Sequence, residues 1–284
     1  MDKKHNRREF LQILGAGTAA SIVAATGGSA QNRGGGVPAA KDTRLKLGLA
    51  SYTLRNFDLD KTLAMTRRLG LKYVALKSVH LPLESSPAQI AEAAEKVKNA
   101  GLELYGGGVI YMKDEAEVNR AFDYAKAAGM KVIIGAPVPE LLALVNQKVQ
   151  QYDIKVAIHN HGPGDKNYPT PASVYERIKD LDKRIGLCND IGHTIRAGED
   201  PSVSAERFAD RLLDVHIKDE SAATAKGQAV EVGRGVIDIP KFLRTLSKIN
   251  YNGVVAFEYE KDADDPLPGL AESVGYVRGV IAAM

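Results

Sequence analysis

From residue 45 onward, short apolar runs alternate with longer segments whose apolar side chains recur at helical spacing. The runs cover residues 45–51, 73–79, 102–109, 131–136, 155–159, 184–189, 212–217 and 253–258. Continuous apolar runs of this length read as parallel strands buried on both faces. Helix start signals stand between them: Asp58, Ser86-Pro87, Asp114 and Thr170-Pro171 each supply a capping side chain or an early proline. Gly70, Gly101 and Gly129 each fall between a helical segment and the next strand, where a left-handed residue closes a helix. Strand and helix alternating eight times predicts an α/β fold, the (β/α)8 TIM barrel, over residues 45–284. A doubly wound open sheet is the other architecture the alternation allows. It fits less well, because no G-x-G-x-x-G fingerprint opens the first helix and Gly106-Gly107-Gly108 fall inside the third strand.

Every histidine except His5 stands at or just beyond the end of an apolar run: His80, His159, His161, His193 and His216. The last run ends on Glu258. In both architectures ligands gather at the carboxyl ends of the strands, so the pattern points to a metal site. His159 and His161 share a parity and face one way if the strand continues. Asp190 closes the sixth strand, either as a cap for the next helix or, with His193 three residues on, as part of a common site. His216 alone reads as a core histidine, and beside the other strand-end groups as a ligand. Glu258 and Glu260 share a parity, and a carboxylate inside a barrel mouth is costly unless paired or metal-bound. Lys77 lies near the mouth end of the second strand, where a neighbouring cation would push its ammonium toward the neutral form. Glu231 and Arg234 fall in a loop on the same face, as sugar-hydroxyl contacts or as a loop salt bridge.

The 284 residues carry a net charge of +3, and a large share of the basic excess sits in the first thirty, where Lys3, Lys4, Arg7 and Arg8 outnumber Asp2 and Glu9. The near-neutral remainder has no electrostatic footprint for nucleic acid. A single cysteine, Cys188, forms no internal disulfide. Arg7-Arg8 in the string Asn6 to Gln12, a mildly apolar stretch over residues 13–25 and the small residues Gly28-Ser29-Ala30 predict a twin-arginine signal peptide over residues 1–30. Residues 31–44, with Gly34 to Gly36, read as linker. The expectation is periplasmic export of a folded protein with no stable membrane insertion after cleavage, an uncleaved amino-terminal anchor being the alternative.

The strings IHNHG, GLCNDIGH, DVHIKD and AFEYE, in that order, resemble the sugar phosphate isomerase/epimerase family of xylose isomerase-like TIM barrels. More distantly they resemble the endonuclease IV metal site. The resemblance implies a divalent ion (Mn, Mg, Co or Zn) held by His159, Asp190, His216 and Glu258, with His193 close by. It also implies a small-molecule carbohydrate substrate, with His193, Lys218, Glu231 and Arg234 as its contacts. The family usually has a glutamate where this chain has His159, and its epimerases remove and return a proton with two glutamates. A histidine bound to metal through one nitrogen has no lone pair left for that task, which leaves one base, enough for proton abstraction followed by β-elimination.

A finer resemblance runs the same way. The stretches Leu76 to Pro82, Gly162-Pro163-Gly164-Asp165 and Gly233 to Asp238 are similar to exported barrel proteins implicated in breaking down 3-keto-glycosides. It implies Glu258 or His161 as base and Lys77 or His80 as carbonyl polariser or leaving-group acid. Three functions follow from the sequence: a metal-dependent enzyme that enolises a keto sugar as lyase, isomerase or epimerase, an endonuclease-IV-like phosphodiesterase, and a non-catalytic sugar-binding protein. The near-neutral body, the export signal and the few acidic ligands weigh against the second. The intact ligand set weighs against the third.

Overall fold

The computed structural model describes residues 45–284. The strands are β1 (Lys46–Ala50), β2 (Tyr73–Leu76), β3 (Glu103–Met112), β4 (Val132–Pro137), β5 (Lys155–His159), β6 (Ile185–Asp190), β7 (Leu212–Ile217), β8 (Asp219–Glu220), β9 (Ala229–Val230) and β10 (Val254–Phe257). Eight of them close into a parallel barrel in the order β1-β10-β7-β6-β5-β4-β3-β2. The TIM barrel expected from the alternation is therefore the fold, and the open sheet is excluded. The helices between and after the strands are α1 (Leu59–Arg68), α2 (Pro87–Asn99), α3 (Glu115–Ala127), α4 (Leu142–Tyr152), α5 (Pro171–Ile178), α6 (Ile191–Arg196), α7 (Pro201–Arg207), α8 (Ile239–Lys248) and α9 (Leu267–Ala282).

The local signals act as their chemistry dictates. The side chains of Asp58, Ser86, Asp114 and Thr170 accept from the backbone N–H three residues on, which caps α1, α2, α3 and α5. Gly70, Gly101 and Gly129 take φ of 66°, 75° and 68°, a backbone that costs glycine nothing. Two boundaries differ from the apolar runs by three residues. The second strand stops at Leu76 because the chain turns at Lys77, whose carbonyl accepts from His80 and Leu81 N–H. The third continues past residue 109 to Met112, because Ile110, Tyr111 and Met112 still pair with β4. The ribbon of β8 and β9 was not legible as apolar runs, since each strand has two residues.

Strand alternation sorts the side chains into two cores. Leu187, Val215, Ile217, Val255 and Phe257 face outward and pack under the helices with Phe122, Phe242 and Leu246. Ala50, Ala75, Ile134, Ala157, Cys188 and Ala256 face inward. Small inward residues leave room at the barrel mouth for the next residues of the same parity, His159, Asp190, His216 and Glu258. At the opposite end, buried Arg211 gathers the loop before β6. Its guanidinium donates to the carbonyls of Lys179, Leu181, Asp182 and Ile185 at 2.7, 2.8, 3.1 and 2.9 Å. The expected signal peptide and linker lie outside the described residues. Among the described residues, no helix is long and apolar enough to cross a membrane.

Candidate metal centre

Four strands deliver one donor each to the barrel mouth: His159 from β5, Asp190 from β6, His216 from β7 and Glu258 just beyond β10. His159 Nε2 stands 3.3 Å from Asp190 Oδ2, 3.2 Å from His216 Nδ1 and 3.9 Å from Glu258 Oε2. His216 Nδ1 lies 3.2 Å from Glu258 Oε2 and 4.0 Å from Asp190 Oδ2. Donors held about 2.0–2.2 Å from one tetrahedral ion stand about 3.3–3.6 Å apart, so these separations have the scale of a coordination shell. Two imidazoles and two carboxylates suit a divalent ion, and all four residues are buried. A zinc or similar ion held here would polarise a ligating carbonyl oxygen.

The electrostatics prepare the donors. Burial pushes the His159 imidazole down to about 3, which leaves it neutral with a lone pair to give. Burial would raise the Asp190 and Glu258 carboxyls, but the surrounding charges outweigh it and hold both below the usual carboxylate range. For Asp190 these are His193 and Lys218, and for Glu258 they are Lys218 and His216. Burial alone would lower His216, yet Glu258, Asp214 and Asp190 together raise it. Lys218, expected as a substrate contact, lies inside the cluster. Its Nζ sits 2.9 Å from Asp190 Oδ2, 2.8 Å from Glu258 Oε2 and 2.9 Å from Glu260 Oε1. Three carboxylates overcome its burial and hold it firmly protonated.

The Asp190 carboxylate plays both parts weighed from the sequence. Oδ1 accepts from His193 N–H at 2.8 Å and caps α6, while Oδ2 faces the cluster. Asn160, the middle residue of IHNHG, clamps this turn: it accepts from Asp190 N–H at 3.0 Å and donates to Thr194 Oγ1 at 3.1 Å. Gly192 is required by close approach, since a Cβ there would meet Lys218 Cδ at 2.5 Å.

His161 and His193 flank the ligands, their rings 4.5 and 5.8 Å from that of His159. His161 Nε2 bonds the hydroxyl of Tyr111 at 3.0 Å, and the two rings stack at 5.5 Å. Lys77 lies between the rings of Tyr52 and Tyr111, 5.6 Å from each centroid, and donates to Val109 O. Burial lowers its pKa against the pull of Glu258 and Glu260. Tyr52 and Tyr111 escaped the sequence reading. Tyr111 has the parity of Val109, a residue on the inner wall, which is the signal that would have found it.

Other expected residues are engaged elsewhere. His80 does not join the cluster: its Nδ1 bonds Ser51 Oγ at 2.9 Å, and its Nε2 sits among Thr62 Oγ1 and the carbonyls of Leu54 and Phe57. With both nitrogens bonded to the fold, it ties β1 and α1 together and has no free donor for a carbonyl or leaving group. Arg234 forms an exposed ion pair with Glu272, and Glu231 bonds Lys261 and Tyr259, so this loop is held by salt bridges. The amides of Gly233, Gly235 and Ile237 donate to the buried Asp219 carboxylate, which occupies them with an internal anion.

A family model described as xylose isomerase-like TIM barrel matches residues 58–280. An inosose dehydratase of Geobacillus kaustophilus is 25% identical over 152 residues, which cover 45% of this chain and 45% of that protein. The chain spans about half the length of the curated relatives it matches. Among solved structures, the 3-keto-D-glucoside 4-epimerase YcjR of E. coli superposes with a TM-score of 0.67 at 17% identity, over 83% of this chain and 99% of that one. The IolI protein with a bound zinc atom superposes with a TM-score of 0.70 at 18% identity, over 84% and 99%. Both likenesses are of fold.

Proposed function

Because this chain belongs to the xylose isomerase-like TIM barrel family, we propose that it is a divalent-metal-dependent enzyme that enolises a keto sugar, acting as a 3-keto-glycoside lyase. The observation that carries the lyase reading is the ligand set itself. His159 takes a position in the cluster through Nε2, where the family usually has a glutamate, which leaves Glu258 as the remaining member of that glutamate pair, available as both ligand and base. A bound ion would supply Lewis-acid polarisation of the substrate ketone. Glu258 removes the proton on C2, acidified by the C3 ketone, with its carboxylate oriented by the Lys218 ammonium at 2.8 Å. The C2–H electron pair becomes the C1–C2 double bond, and the C1–O bond to the aglycone breaks. Lys77, held at the mouth between Tyr52 and Tyr111, protonates the departing oxygen. His161 is the alternative base, with its ring held by Tyr111. The products are an unsaturated keto sugar and the free aglycone.

The match to inosose dehydratase favours a second version of the same elimination, in which a cyclic ketone loses water. The glycoside reading rests instead on the resemblance carried by the stretches Leu76 to Pro82, Gly162 to Asp165 and Gly233 to Asp238. Metal-loaded protein incubated in D₂O with a 3-keto-glucoside, a keto-inositol and free keto-hexoses, followed by NMR, separates them. Aglycone release supports the lyase, loss of water from the cyclitol supports the dehydratase, and deuterium exchange with inversion supports an epimerase. No exchange and no elimination with any ketone defeats the proposal. Export of the folded, loaded enzyme by the twin-arginine route belongs to the same reading. Amino-terminal sequencing of the periplasmic protein tests it by placing the first residue after Ala30.

A further inference from the structure

Asp214 lies two residues before His216 on the inward face of β7 and is wholly buried. The inner wall carries Ala157, Ala256, Ala50 and Ala75, the buried Tyr105 phenol lies beside the carboxylate, and Cys188 pairs with Asp214 in register on β6. A carboxylate in such a place is costly unless it answers a partner. The cationic or imidazole group facing it is His216, whose Nε2 stands 3.6 Å from Asp214 Oδ2, an ion-pair separation rather than a formed hydrogen bond. The Cys188 thiol donates to the same oxygen at 3.4 Å. His216 Nε2 and Asp214 Oδ1 have no hydrogen-bond partner elsewhere among the described residues. The other nitrogen of His216, Nδ1, is the one turned to His159, Asp190 and Glu258.

An imidazole offers a lone pair at one nitrogen only when its proton resides on the other. We propose that Asp214 is the positioning residue of the metal centre: it holds the His216 proton at Nε2 and fixes the ring, so that Nδ1 presents its lone pair to the ion, while Cys188 anchors Asp214 from behind. The proposal rests on the reading of His159, Asp190, His216 and Glu258 as ligands. The two imidazoles are then unequal, because the outer nitrogen of His159, Nδ1, is buried with no hydrogen-bond partner. Outer carboxylates of this kind set both the orientation and the basicity of a ligating histidine.

Two measurements test this. ¹⁵N NMR of the histidine side chains in metal-free wild-type protein is expected to find His216, when neutral, as the Nε2–H tautomer. Competition binding of Co²⁺ and Zn²⁺ is expected to show about ten- to hundredfold weaker affinity in D214L and a smaller loss in D214N, which keeps an acceptor oxygen. V132A, an apolar change on the same inner wall, keeps wild-type affinity. A neutral His216 found as the Nδ1–H tautomer overturns the proposal without any variant, as does a folded D214L that binds Co²⁺ like wild type. Wild-type protein that takes up neither ion overturns the metal centre itself, an outcome distinct from wild-type uptake that D214L leaves unchanged.

Discussion

Replacing Lys218 by methionine removes the one ammonium bonded to Asp190, Glu258 and Glu260, and tests whether the cluster is built to be neutralised from two sides. Each contact of 2.8–2.9 Å amounts to about 6 kcal/mol of Coulomb attraction at an effective dielectric of ~20. Desolvating four charged groups takes back most of that, and the measurable cost of removing one partner from a buried network is about 3–5 kcal/mol. In a domain of this size, a loss of that order lowers Tm by about 6–20 °C. A divalent ion held by Asp190 and Glu258 would supply the same neutralisation. In wild type, an ion at a hundred times its Kd adds about 2.7 kcal/mol by mass action. In K218M it also relieves the exposed repulsion, so the metal-induced rise in Tm exceeds that of wild type. Circular dichroism melts of both proteins, with EDTA and with saturating Zn²⁺ or Mn²⁺, give the four values needed. An unchanged Tm for metal-free K218M, or an equal metal-induced rise in the two proteins, would refute the reasoning.

Two further outcomes follow from other parts of the structure. R211A leaves the carbonyls of Lys179, Leu181, Asp182 and Ile185 without their shared donor at the barrel end opposite the mouth, so it loses about 4 kcal/mol in denaturant melts while keeping wild-type metal affinity. Glu220 is pushed up from 4.5 to about 7 by burial, which outweighs the opposing pull of Arg196 and Lys218 and is helped by Asp190 and Glu260. The folded chain therefore holds a proton that the unfolded chain has released. Stability from this group is fully present below about pH 4.5 and declines as pH rises toward 7, and urea titrations should find E220Q flatter than wild type across that window.

What the sequence determined by itself was everything that depends on near neighbours along the chain. The two-residue period of strands placed His159, Asp190, His216 and Glu258 at strand ends, and capping side chains with left-handed glycines marked where helices begin and end. The order of strands and helices then left the barrel as the best arrangement. The tertiary structure decided which strand-end groups meet. His80 carries the same sequence signature as His216, yet its neighbours turned out to be Ser51, Thr62 and two backbone carbonyls, so it serves the fold. Lys218 reads as any lysine after a strand, and only closure of β10 against β7 brings Glu258 and Glu260 to its ammonium. Arg234 and Glu231 found local salt-bridge partners that no spacing announces. Alternation along a strand is a property of one backbone segment and is legible residue by residue. Distances between side chains from different strands depend on the tilt and register of a closed sheet, which is set by the packing of the whole chain.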